Sequence, residues 1–163
     1  MTDPFRHFYQ KNLPDLSAIT DLPHRHFRIL LPRGTFLKLQ TRIRSEERLR
    51  RWLVRYRPSD VYYSTSCWLV PENLGRRERT PLSDNIFLSS DIVFDIERSP
   101  FSLETLELAR QETLRLLAFC NDEELIVKYI AFSGSKGCHV ICADPCRYDD
   151  PSPLVREDRA KAA

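Results

Sequence analysis

The chain has 163 residues, 42% of them hydrophobic and 29% charged, which excludes collagen-like, low-complexity and wholly disordered classes. A fold of this length buries roughly 70% of the surface its unfolded chain exposes, so it needs neither disulfides nor a metal for stability. The net charge of +2 hides an asymmetry: residues 1–80 carry 16 Lys/Arg against 8 Asp/Glu, and residues 81–163 carry 9 against 15. A basic half joined to an acidic half suits one surface for a polyanion and another for cations, or two solvated faces with a biased composition. Five cysteines, an odd number, fit a reducing compartment better than a disulfide framework. The first residues carry no apolar core of a signal peptide, and no apolar run approaches the ~18 residues of a membrane span, so the expected setting is cytoplasmic and away from membranes.

In chain order, Phe5 to Leu13 reads as a short helix ended by Pro14, followed by a loop to Pro23. Phe27–Leu31 and Thr35–Leu39 flank Pro32-Arg33-Gly34 and read as strand, turn and strand. Ser45 is placed as an N-cap with Glu46 and Glu47 in the first turn, and the helix runs to about Arg57 before Pro58. Leu49, Trp52, Leu53 and Tyr56 form its apolar face, with Arg44, Arg48, Arg51 and Arg55 as a second stripe. Asp60–Val70 is aromatic and β-branched, a strand, and Pro71–Asn85 is a polar loop. Ile86–Glu97 contains the clearest strand, Asp91-Ile-Val-Phe-Asp-Ile-Glu97. Ser102 caps a helix to about Cys120, with Leu106, Ala109, Thr113, Leu116 and Leu117 facing inward. Leu125–Phe132 and Cys138–Cys142 are strands joined by the turn Ser133–Gly137, and from Pro145 the chain is polar. The expectation is an α+β fold with a mixed or antiparallel sheet and packed helices. Residues 1–145 form the domain, and 146–163 form a polar tail, disordered or beginning a helix. Residues 91–142 form half of a split βαβ unit.

Two constellations can carry chemistry. Asp95 and Glu97 lie two apart in a strand, so both carboxylates project from one face, about 7 Å apart, with Val93 beside them and Phe94 and Ile96 turned into a core. Paired carboxylates repel each other and resist burial, and they suit shared divalent cations, Mg²⁺ or Mn²⁺ by their oxygen donors. In isolation such a pair is more often the exposed polar face of an edge strand. In Ser133-Gly134-Ser135-Lys136-Gly137-Cys138-His139, two of the chain's four glycines permit a tight turn. Its amides can form an anion nest, joined by the Ser133 and Ser135 hydroxyls, the Lys136 ammonium and the His139 ring. The spacing is not a Walker A loop, and a plain hairpin with an exposed lysine has the same composition. Cys138, Cys142 and Cys146 recur every fourth residue, which is not a zinc-ribbon spacing. Arg48, Arg51 and Arg55 could contact nucleic-acid phosphates or simply form a solvated face.

A strand ending in two acidic residues, then a helix, then a strand with Ser-Gly-x-Lys/Arg-Gly-x-His resembles the archaeo-eukaryotic primase superfamily, nearest to the small, catalytic subunits of archaeal and eukaryotic DNA primases. Asp91–Glu97 is similar to that family's first motif and Phe132–Val140 to its second. Pro58-Ser-Asp-Val-Tyr-Tyr-Ser64 with Pro71, Leu22-Pro-His-Arg-His-Phe27, and Phe8-Tyr9 with Leu13-Pro14 fit its upstream segments, so the resemblance covers about residues 5–142. It implies an RRM-related catalytic core and template-directed primer synthesis or extension from nucleoside triphosphates on a DNA template. Asp95 and Glu97 would be catalytic and hold the two metals. Ser133, Gly134, Ser135, Lys136, Gly137 and His139 would bind the nucleotide. Glu97 stands where the family has Asp, and Lys136 where it often has Arg. Only Cys120 lies between the motifs, so no zinc is expected. The family's third catalytic Asp has no counterpart strand, Asp144, Asp149 and Asp150 being poor substitutes, so the core is expected to be incomplete at its C-terminal end. The expected partners are then a primase large subunit or a chain that completes the fold. Two alternatives are a catalytically incomplete paralogue acting as a nucleotide- or nucleic-acid-binding or regulatory subunit, and a metal-dependent phosphohydrolase using the same carboxylates.

Overall fold

Capping residues and alternating apolar positions set the elements of the computed structural model, which describes residues 4–12, 15–74 and 85–144. The elements are α1 (Pro4–Lys11), β1 (Arg25–Leu30), β2 (Phe36–Lys38), α2 (Glu46–Tyr56), β3 (Asp60–Trp68), β4 (Phe87–Glu97), α3 (Leu103–Asp122), β5 (Val127–Phe132) and β6 (Gly137–Ala143), with single 3-10 turns at Leu22–His24 and Pro71–Asn73. The fold is α+β and the strand pairs are antiparallel. The chain divides into two compact units, one carrying Met1–Ser89 and the other Ser90–Cys146. The expected tail from 146 lies outside the described residues, as does most of the Pro71–Asn85 loop. No helix among the described residues is long and apolar enough to cross a membrane.

In the first unit β1 pairs with β2 on one side and β3 on the other. Alternate β1 residues Phe27 and Ile29 enter a core with Tyr9, Leu16, Leu39, Ile43, Leu49 and Leu53. Ser45 accepts a hydrogen bond from the Arg48 amide at 3.2 Å to start α2, with Glu46 and Glu47 in the first turn. Arg57, at φ 50°, ends the helix immediately before Pro58. The Tyr9 hydroxyl donates to the Pro58 carbonyl at 3.0 Å and ties α1 to the end of α2. Pro71 and Asn85 are buried, and the Asn85 amide bonds both the N–H and the carbonyl of Val70 (2.9 and 3.0 Å). The ends of the Pro71–Asn85 segment are therefore built into the unit.

In the second unit β6 lies between β4 and β5, antiparallel to both, and α3 makes the crossover. This is the expected split βαβ arrangement. Ile92, Phe94 and Ile96 of β4 pack with Leu116 and Leu117 of α3 around Cys120, Val140 and Cys142. Full burial of a side chain such as Val140 contributes roughly 1.5–3 kcal/mol. A reciprocal capping box starts α3. Ser102 Oγ accepts from the Thr105 amide (3.0 Å) while Thr105 Oγ1 accepts from the Ser102 amide (2.9 Å).

Candidate active site

Strand β4 presents Asp91, Val93, Asp95 and Glu97 on the face opposite α3, because Ile92, Phe94 and Ile96 between them enter the core. The three acidic residues differ in environment. The Asp91 carboxylate is 6% exposed and meets Lys128 Nζ of β5 at 2.6 Å with only 13% of that lysine exposed, a partly buried structural pair. Asp95 is 60% exposed and Glu97 is exposed, so these two carboxylates are open to solvent and to ligands. They also border an open groove of 710 Å³ whose far wall, on α3, carries Glu112, Arg115, Leu116 and Phe119. There Glu112 holds Arg98 (3.2 Å) and Arg115 (2.9 Å).

The β5–β6 hairpin brings the second constellation to the first. In the β4–β6 ladder Asp95 stands opposite His139 and Glu97 opposite Gly137. Directly opposed residues share a face, and His139 Nε2 lies 3.3 Å from Asp95 Oδ1. The two loop glycines do different work. Gly134 has φ +82° with open space around it, so it serves the left-handed turn. At Gly137 an added Cβ would fall 1.6 Å from the Ile96 carbonyl oxygen, so this glycine lets β6 approach β4 beside Glu97. The turn is closed by Ser133 N–H to the Gly137 carbonyl (2.8 Å) and Gly137 N–H to Ser133 Oγ (3.1 Å). Two amides are thus used internally, and an anion nest falls to those between them. Gly134 and Ser135 are exposed and Lys136 is half-buried, its carbonyl accepting from Arg98 N–H at 3.4 Å.

Sequence reading did not foresee the His139–Asp95 contact or the Asp91–Lys128 pair, because both depend on strand register. It also gave no separate role to His26. That ring is 6% exposed, its Nδ1 lies 2.9 Å from the Pro71 carbonyl, and its buried Nε2 has no hydrogen-bond partner among the described residues. Arg28, Tyr62 and Ser64 border the same pocket in the first unit. Burial is the main cause lowering the His26 pKa, and Arg28 and Lys38 push the same way. Arg48, Arg51 and Arg55 lie on α2 in the first unit, around Trp52.

The donor chemistry around β4 fits a hard divalent cation in part. Two solvent-open carboxylates on one face match the one or two carboxylates that bind Mg²⁺ together with substrate phosphates. Among the described residues no group of three or more His, Cys, Asp or Glu is placed to hold a metal. Asp144 is the last described residue after β6, and Asp149, Asp150 and Cys146 lie outside the described residues. Cys120 and Cys142 pack thiol to thiol at 3.9 Å in the core.

No family model matches the chain. It is similar to a DNA primase small subunit of Cenarchaeum symbiosum, 28% identical over 99 residues, a match covering 61% of this chain and 23% of that protein. A DNA primase small subunit of Pyrobaculum arsenaticum is 28% identical over 150 residues, covering 83% of this chain and 45% of its own length. The chain therefore spans less than half the length of these curated relatives. These two matches support a distant, primase-like relationship to the DNA primase small subunits.

Proposed function

We propose that the chain carries a primase-type nucleotidyltransferase site, extending or starting a primer on a DNA template from nucleoside triphosphates. The observation that carries this reading is the β4–β6 register. It sets His139 against Asp95 and Gly137, where the tight turn ends, against Glu97, so the carboxylates share a sheet face with His139 and lie at the end of the turn. Ser133, Lys136, His139 and the loop amides would hold the triphosphate, with Gly134 and Gly137 shaping the turn. Asp95 and Glu97 would hold Mg²⁺ or Mn²⁺ at the same phosphates. When bound, the cations would neutralise charge and polarise the phosphoryl oxygens during attack of a 3′-hydroxyl on the α-phosphorus with loss of pyrophosphate. His139 would hydrogen-bond Asp95 while the site is free of ligand and would be available to the phosphate when that carboxylate holds a cation. Positioning and charge neutralisation by these side chains are the catalytic contribution of the chain. A primase large subunit is the partner this reading calls for.

A second reading, a nucleotide- or nucleic-acid-binding subunit without full chemistry, is favoured by one observation. Among the described residues no third carboxylate joins Asp95 and Glu97. The deciding experiment is primer–template extension with Mg²⁺ or Mn²⁺ and both ribo- and deoxynucleotides, beside Asp95→Ala. Extension that disappears in the variant establishes the first reading. Metal-dependent nucleotide binding without extension establishes the second. Release of phosphate without polymer points to a phosphohydrolase and refutes both.

A further inference from the structure

The first unit holds a cationic groove on α2. Arg48, Arg51 and Arg55 of α2 line it together with Trp52, around a volume of 270 Å³. Their spacing of three and four residues places the guanidinium groups on one stripe that extends about 10 Å along the helix axis. Like charges at these spacings weaken a helix, so counter-charges would be expected nearby. Elsewhere in the unit they are present: Arg42 pairs with Glu72 (3.2 Å) and Arg50 with Glu47 (3.9 Å). Among the described residues, none that lines the groove is acidic. Arg48 Nη2 donates to the Thr41 hydroxyl at 2.8 Å, and Arg55 lies 5.4 Å over the Tyr56 ring. Arg51 makes no ion pair or side-chain hydrogen bond among the described residues. Trp52 makes the lining aromatic as well as basic, and its ring is held by stacking on Tyr56 at 5.1 Å between centroids and 11° between planes.

Three forked cations in a lining that holds no acidic residue, beside the Trp52 indole, match a strand that offers phosphates along one edge and π-faces along the other. We propose that this face of α2 is a binding site for single-stranded nucleic acid. An acidic peptide would satisfy the charges but does not present a regular row of aromatic faces to the indole, and a duplex keeps its base faces stacked inside.

The test uses neither nucleoside triphosphate nor divalent metal, so it is independent of the nucleotidyl-transfer reading. A fluorescently labelled single-stranded oligonucleotide is titrated by anisotropy in EDTA between 50 and 200 mM salt, with wild type and R48A/R51A/R55A. Each phosphate contact contributes about −0.7 to the slope of log affinity against log salt for a single strand. The triple variant is expected to lose about 2 from that slope and to bind at least about tenfold more weakly at 50 mM salt. R48K/R51K/R55K should retain most of the slope. The arginines are exposed and alanine is the better helix former, and circular dichroism checks the fold. If the triple variant does not fold, R51A alone should lose about 0.7. An unchanged slope, or no binding by wild type, overturns the proposal. So does a duplex bound as tightly with the same arginine dependence, or polyglutamate displacing the strand at equal charge concentration.

Discussion

Replacing Gly137 by alanine should destabilise the protein more than replacing Gly134, although both glycines sit in one turn. At Gly137 the new methyl would lie 1.6 Å from the Ile96 carbonyl oxygen, 2.7 Å from its carbon and 3.1 Å from Glu97 Cα. All three atoms are backbone, so no side-chain rotation relieves the overlap, and β6 must move away from β4. Overpacking of this kind costs about 1–3 kcal/mol, and loss of a ladder hydrogen bond adds about 1 kcal/mol. We expect about 3 kcal/mol in all. For a chain of this size that is a fall in Tm of roughly 6–12 °C. At Gly134 nothing lies within 4 Å, and only the left-handed backbone at φ +82° resists a side chain, at about 1–2 kcal/mol. Urea unfolding followed by circular dichroism measures both, and hydrogen exchange at Ile96 and Glu97 should accelerate only in Gly137→Ala. Equal losses in the two variants, or a larger loss at Gly134, would refute the argument that strand approach rather than turn conformation requires Gly137.

Asp91→Ala should cost on the order of 3 kcal/mol in urea unfolding by leaving Lys128 partly buried without that partner, whereas Asp95→Ala, on an open face, should change stability by less than about 0.5 kcal/mol; reversed magnitudes would show the two acids misassigned. Burial and the neighbouring Cys120 thiol push the Cys142 pKa upward, so iodoacetamide mapped by mass spectrometry should modify half-buried Cys138 before Cys120 or Cys142 in the native protein, and early labelling of Cys142 would contradict its packing. His26 has its pKa lowered in the fold from 6.5, so the unfolded chain takes up its proton first; its contribution is complete above about pH 6.5 and is lost as pH falls below that value. The difference in unfolding free energy between wild type and His26→Gln should therefore change as pH falls below about 6.5, and a constant difference would rule out a neutral buried His26.

Local chemistry made the helices and strands legible. Ser45 and Ser102 mark the starts of α2 and α3 as expected, and Ala109 and Thr113 are buried on the inner face of α3. The apolar members of Asp91–Glu97 enter the core as alternation requires. The deviations are at element ends, where pairing decides. β3 stops at Trp68 instead of Val70, and β5 starts at Val127 instead of Leu125, beside a register irregularity between Val127 and Tyr129. β6 starts one residue early because Gly137 already pairs with Glu97. Within the candidate site, the residue types and the shared face of Asp95 and Glu97 could be read from spacing alone. The partner of each acid could not. Lys128 and His139 lie 37 and 44 positions away in sequence, and only the order of β4, β6 and β5 selects Lys128 for Asp91 and His139 for Asp95.

The pairing of Gly137 with Glu97 and of His139 with Asp95 has a consequence for tolerated changes of chain length. A residue inserted between Gly134 and Lys136 enlarges a loop and leaves the strands in step, a change that costs little. A residue inserted at Cys138 shifts everything after Gly137 by one. It would turn His139 from the Asp95 face toward α3 and move Cys138 the opposite way. Homologous chains sharing this site should therefore keep a single residue between that glycine and the histidine, whatever happens to the loop before it.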